Sequence, residues 1–161
     1  MAVAEDIARI VFLNGGQLVG KTRLQKTAYF LDSKSAGFGF NFDYYRFGPY
    51  SEDVAIAADE AKALGLIDVS LRRSQAGTEY AVFRTNIDVV NELSKDNTRK
   101  CILSMLSNYS AVELELAATA DFLKRNGFPD PWAETRRRKA AKMTDERVAN
   151  SMRLLEELGS L

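Results

Sequence analysis

No histidine occurs among the 161 residues, and cysteine occurs once. The first absence removes the commonest general acid–base side chain and the commonest metal ligand. The second excludes an internal disulfide, so Cys101 points to a reducing, cytoplasmic setting. Net charge is also missing: 22 Lys and Arg balance 22 Asp and Glu. That balance argues against a general nucleic-acid coat protein and leaves room only for a local basic footprint. No apolar run approaches the ~20 residues that cross a bilayer, so no membrane association is expected. Glu5 and Asp6 stand where a signal peptide would carry its basic region, so none is expected. No spacing of Cys, Asp or Glu suits a metal, and no cofactor motif stands in its proper context.

The charge that is present is unevenly placed. Residues 51–97 are acidic on balance. Residues 98–161 are slightly basic, with a dense run at Arg136, Arg137, Arg138, Lys139 and Lys142. Hydrophobic periodicity organises the chain as one unit, 1–161, with two halves and no Pro/Gly/Ser-rich linker. In the first half, 1–86, Val3, Ile7, Ile10 and Val11 predict a helix over 3–13, stopped at Asn14-Gly15-Gly16. A second helix runs from about Lys21 to Ser35. Leu24, Ala28 and Leu31 form its inner stripe, and Arg23, Lys26, Phe30 and Lys34 share another face. Phe40 to Arg46 alternates as a strand does, and Gly48-Pro49 breaks it. Ser51 caps a third helix with Glu52 and Asp53 in its first turn, and its stripe is Val54, Ala57, Ala58, Ala61 and Leu64. Leu66–Leu71 and Thr78–Arg84 read as a β-hairpin. The order helix, helix, strand, helix, hairpin is that of a winged-helix-like module.

The second half, 87–161, reads as helical. Asp88–Lys95 and Thr98–Ser107 are short candidates. Ser110-Ala111-Val112-Glu113 is a capping box that opens an unusually apolar, central helix reaching Arg125. Asp130-Pro131 opens a helix over 131–142. Thr144 caps the last helix, with Val148, Met152, Leu155 and Leu158 on its inner stripe. The fold class is therefore α+β, mostly helical, with a winged-helix-like half packed on a helical bundle.

Gly15-Gly16-Gln17-Leu18-Val19-Gly20-Lys21-Thr22 satisfies the phosphate-loop spacing. It follows an amphipathic helix instead of a buried parallel strand, so it reads as a helix–helix turn. Three adjacent arginines at 136–138 point to different sides of a helix and cannot form one patch. Some of these arginines are expected to pair with acidic residues of the central helix such as Glu113 or Glu115, and Glu134 sits four residues before Arg138. Tyr29, Phe42, Tyr44, Tyr45, Phe47 and Tyr50 crowd around Gly48-Pro49, as core packing with hydroxyls at the rim or as a binding platform. Cys101 reads as a small buried hydrophobe.

Thr22-Arg23-Leu24-Gln25-Lys26 followed by Tyr29, Gly48-Pro49-Tyr50-Ser51, and Gly65-Leu66-Ile67 resemble the signatures of the YwgA-like family. Leu114-Glu115-Leu116-Ala117-Ala118-Thr119 and Arg137-Arg138-Lys139 with Lys142 extend the resemblance over most of the chain. That family is distantly similar to the Panacea domain of SocA-type antitoxins, whose members neutralise a partner protein by direct contact or act as adaptors for its proteolysis. The resemblance thus implies a non-enzymatic protein-binding module, antitoxin-like or a phage-defence accessory, with a toxin- or effector-like protein partner and no catalytic residues. Its expected partner surface comprises Arg23, Lys26, Lys34, Tyr44, Tyr45 and Tyr50. The alternative is a winged-helix DNA-binding regulator that uses Arg72, Arg73, Arg136, Arg137, Lys139 and Lys142. The acidic third helix argues against groove reading by that element.

Overall fold

The computed structural model describes residues 3–86 and 91–161 of the chain. It is an α+β, mostly helical structure. Helix α1 (Ala4–Leu13) starts where the Asp6 carboxylate accepts the Val3 N–H at 2.7 Å, and it ends at Asn14. Gly15 and Gly16 then take φ of 83° and 87°, turning the chain into strand β1 (Gln17–Val19). Helix α2 (Lys21–Ser33) follows Gly20 directly. Strands β2 (Asp43–Tyr45) and β3 (Gly48–Tyr50) form a two-stranded hairpin. Helix α3 (Glu52–Ala63) is capped by Ser51, whose Oγ accepts the Val54 N–H. Strands β4 (Ile67–Arg73) and β5 (Glu79–Thr85) pair antiparallel, with β1 on the other edge of β5 in the order β1-β5-β4.

Among the described residues, four α-helices build the second half. They are α4 (Asp96–Leu106), α5 (Ala111–Arg125), α6 (Pro131–Lys139) and α7 (Asp145–Gly159). Their starts are locally encoded. Ser110 and Glu113 exchange hydrogen bonds at the start of α5, Asp130 accepts the Ala133 N–H in α6, and Thr144 accepts the Arg147 N–H in α7. A 3-10 turn over Ala140–Lys142 tightens the end of α6, so the α-helix itself stops three residues before Lys142.

Helix α5 is the hub. It packs against α2, β3, α6 and α7, which explains why a contiguous run from Glu113 to Ala120 is buried all round. Ile7, Ile10, Val11, Leu31, Ile102, Leu114, Ala117 and Leu154 belong to one continuous core joining the two halves.

Several expectations change. Strand β1 has no alternation to announce it and is missed by sequence pattern. Only Asp43–Tyr45 of the expected strand 40–46 pairs, although the alternation holds further: Phe40, Phe42 and Tyr44 turn inward while Asn41, Asp43 and Tyr45 face outward. Gly48-Pro49 does not end strand structure but begins the returning strand, with Pro49 opposite Tyr44. Leu64 lies past the end of α3 and is 66% exposed, so it leaves the buried stripe. In α7 the inner positions are Ser151, Leu154 and Leu158, while Met152 is exposed. Of the expected helix 88–95, residues 88–90 lie outside the described residues, and 91–95 form a bend and turn. Cys101 is exposed on the outer face of α4, not buried.

Candidate functional site around the hairpin

Four of the signature segments, around Lys26, Pro49, Glu115 and Lys139, lie far apart in the chain and meet at one place, the β2–β3 hairpin. On α2, Gln25 sits at the start of the inward face. Its Nε2 donates to the Ser51 carbonyl at 3.0 Å, and its Oε1 accepts the Ser51 N–H at 2.9 Å. The backbone N–H and carbonyl of Ser51 are thereby both held by one amide. Lys26, the next residue, is 1% exposed, and its Nζ donates to the Pro49 carbonyl at 2.7 Å. Proline has no N–H but offers a full carbonyl, so a donor from outside the hairpin is the fitting partner.

The second half grips the same hairpin from the other side. Lys139 Nζ donates to the Arg46 carbonyl at 3.0 Å and to Glu115 Oε1 at 2.7 Å. Lys142 Nζ reaches both Glu115 oxygens at 2.9 Å and lies 4.8 Å from the centre of the Phe47 ring. Gly48, with φ of 85°, presses on Thr119 of α5, and a Cβ there would run into the Thr119 hydroxyl. That hydroxyl is buried and makes no hydrogen bond among the described residues.

The electrostatics of this cluster are lopsided. Lys26, Lys139 and Lys142 converge on one carboxylate, Glu115. Burial pulls the Lys26 amine down to about 8 from its ordinary 10.5. Glu115 counteracts this, and the positive charges of Lys139 and Lys142 add to it.

Beside the hairpin lies a cleft of about 460 Å³ bounded by α2, α3, the β4–β5 sheet and the hairpin. Leu24, Val54, Val69 and Phe83 give it apolar walls, Phe47 and Tyr50 line it from the hairpin, and Lys26 lines it from α2. Lys21, Asp59 and Lys62 are further lining residues. A second groove of about 860 Å³, with Trp132, Met152 and Phe128 among its lining, runs between α5, α6 and α7.

The expected partner residues do not form one surface. Arg23 turns inward and donates to the carbonyls of Leu106 at 3.2 Å and Tyr109 at 2.6 Å, just past α4. Lys26 is enclosed, as described. Lys34, at the C-terminal end of α2, lines the second groove with Lys124 and Arg125. Tyr44 is half-buried against Phe122, under the Arg138 guanidinium at 4.5 Å. Tyr45 packs on Tyr50 with ring centres 5.1 Å apart and is 46% exposed. Phe47, one of the aromatics expected to crowd around Gly48-Pro49, is 47% exposed at the hairpin tip.

The basic run is divided in the same way. Arg72 and Arg73 are exposed at the end of β4, and Arg136 is exposed on α6. Arg137 and Arg138 both bond Glu134, which holds its carboxyl down near 2. Lys139 and Lys142 serve Glu115, so the expected tie to the central helix is made by the lysines and not by the adjacent arginines, because Glu134 one turn back on α6 takes Arg137 and Arg138 first. Glu113 instead receives Asn150 Nδ2 at 2.6 Å and the Ser110 N–H. The Gly15–Thr22 spacing spans a helix end, an edge strand and the first residues of α2, and Gly20 is the residue before that helix.

Over 158 residues the chain is 25% identical to a protein of Bacillus subtilis (strain 168) described as the uncharacterized protein YwgA, and the match covers 92% of each. The similarity runs over most of the chain, and it supports grouping the chain with YwgA-like proteins. No family model matches, and no solved structure matches. Among the described residues, no helix is long and apolar enough to cross a membrane, and no three acidic or thiol side chains cluster as a metal site would need.

Proposed function

We propose that this chain is a non-enzymatic protein-binding module of the antitoxin or defence-accessory kind, with the β2–β3 hairpin as its contact element. One observation carries the reading. Tyr45 and Phe47 stand exposed on a hairpin whose backbone is fixed from both sides by Gln25, Lys26 and Lys139. Rigid aromatic anchors lose little conformational freedom on binding, which is what a protein interface rewards. The distant likeness of YwgA-like proteins to Panacea antitoxins agrees with this use.

The order α1, β1, α2, α3, β4, β5 with the sheet order β1-β5-β4 supports a winged-helix-like reading of the first half. DNA binding is the weaker use of it. The exposed face of α3 carries Glu52, Asp53, Asp59 and Glu60, which would meet phosphates with like charge. Four of the five basic residues from Arg136 to Lys142 are already committed to Glu134 and Glu115.

The test compares wild type with Tyr45→Ser and Phe47→Ser as baits for the products of neighbouring genes, alongside a salt titration with duplex DNA. The reading expects a partner retained by wild type and weakened at least tenfold by either substitution, with little DNA affinity at any salt. Partner binding indifferent to both substitutions, or DNA binding that falls steeply with salt and depends on Arg72 and Arg73, would replace it.

A further inference from the structure

Lys26, one of the residues lining the cleft beside the hairpin, carries a charge that the protein does not balance. Lys26 makes a single hydrogen bond among the described residues, to the Pro49 carbonyl, and an ammonium has three donors. Among the groups that are nine-tenths enclosed, Lys26 and Lys139 face Glu115 alone, two positive charges against one negative. Lys142, about a third exposed, engages both oxygens of the same carboxylate, so Glu115 is saturated before Lys26 can share it. An unbalanced buried charge is costly, and a counter-ion arriving from the cleft removes that cost. The cleft has the volume of a small-molecule site and walls of Leu24, Val54, Val69 and Phe83. Lys21 and Lys62 outnumber Asp59 in its lining.

We propose that this cleft binds a small carboxylic acid, its carboxylate against Lys26 and its hydrocarbon body against the Leu24, Val54, Val69 and Phe83 walls. One positive charge is what the enclosed groups leave unmatched, so a single negative charge balances it, which favours a carboxylate over a dianionic phosphate. The Lys26 amine, with its value drawn down to about 8, is still charged at neutral pH. It is faced by Glu115 from α5, Lys139 from α6 and Lys142 from the 3-10 turn, and it shares the cleft lining with Lys21, Tyr50, Asp59 and Lys62. The occupant enters beside the hairpin and leaves Tyr45 uncovered, while Phe47 is shared between the cleft lining and the proposed partner contact; the test uses the protein without a partner, so its outcome does not depend on that contact.

The experiment is thermal unfolding of the full chain at pH 7 with butyrate, 3-phenylpropionate and indole-3-propionate, each against its uncharged amide. At ten times its dissociation constant, an acid that fits raises Tm by about 4 °C. Its amide gives no shift, and Lys26→Met, if folded by circular dichroism, abolishes the response. Calorimetric titration of the unaltered protein needs no variant: affinity for the acid falls at least tenfold from pH 7 to pH 10, as Lys26 loses its proton. Absence of a shift with all three acids overturns the proposal. So does an equal shift with the amides, or affinity unchanged at pH 10.

Discussion

Lys26 illustrates how one residue's surroundings set its chemistry. Below about pH 8 its amine is charged in both the folded and the unfolded chain, and the full cost of enclosing it is present. Between that value and 10.5 the folded chain releases the proton first. Unfolding then takes up a proton, so stability rises with pH across this window. The gain is on the order of 3 kcal/mol. Urea unfolding of wild type and Lys26→Met between pH 7 and 10.5 should show the stability difference moving in favour of wild type by that amount. A pH-independent difference would mean that the amine keeps its proton in the folded chain. Gly48 makes a second residue-scale case. Alanine there meets both a positive φ and the Thr119 hydroxyl, so Gly48→Ala should cost about 3 kcal/mol in chemical denaturation. In a Thr119→Ala background the cost should shrink but not vanish, because the backbone term remains. Neither position announces itself in sequence. Lys26 falls on a face with Arg23 and Lys34 that reads as a surface for a partner, and the acid that bears on its charge, Glu115, belongs to the other half of the chain.

Elements were legible where the signal is local. Ser51, Ser110, Asp130 and Thr144 each cap the helix expected of them, because a cap is decided within three residues. Strand β3 was not legible, since Gly48-Pro49 has the chemistry of a breaker and becomes a strand only by pairing with β2. Strand β1 is three residues long and owes its conformation to β5. The proposed contact site was only partly legible for the same reason: the sequence pattern placed Tyr45 and Tyr50 near Gly48-Pro49 but could not tell that Lys26 and Lys139 would be spent holding the hairpin. Helix α4 depends on a comparable long-range tie. Asp96, at its first turn, bonds Arg9 of α1 at 2.8 Å and Arg99 at 2.9 Å, and Arg99 in turn donates to the Ala36 carbonyl. Burial pushes the Asp96 carboxyl up, but hydrogen bonds from the Leu93 N–H and Arg99 and the charge of Arg9 hold it below 3.8 overall. Its contribution is therefore present at neutral pH and is lost as the pH falls through that lowered value. Asp96→Asn should cost about 3 kcal/mol at pH 7, because it strands two arginines. Acid unfolding curves should then show the variant and wild type converging at low pH.

For the whole molecule, α5 decides what can fold alone. Phe30 and Leu31 of α2 belong to the same core as Leu114 and Ala117 of α5, and the hairpin needs Lys139 as well as Lys26. A fragment of residues 1–86 should therefore show no cooperative thermal transition by circular dichroism, and adding residues 87–161 as a separate chain should restore one. A sharp transition in the fragment alone would establish two independent units. Cys101 offers a practical way to follow such assembly. It is the sole thiol, it is exposed, and its helix contributes nothing to the hairpin or to either groove. A maleimide dye would attach to one defined point, on a face that leaves Tyr45, Phe47 and the cleft clear. By the same token, storage without reductant would join two copies through a sulfur–sulfur bridge, and a doubled mass in such a sample would report oxidation and not a native dimer.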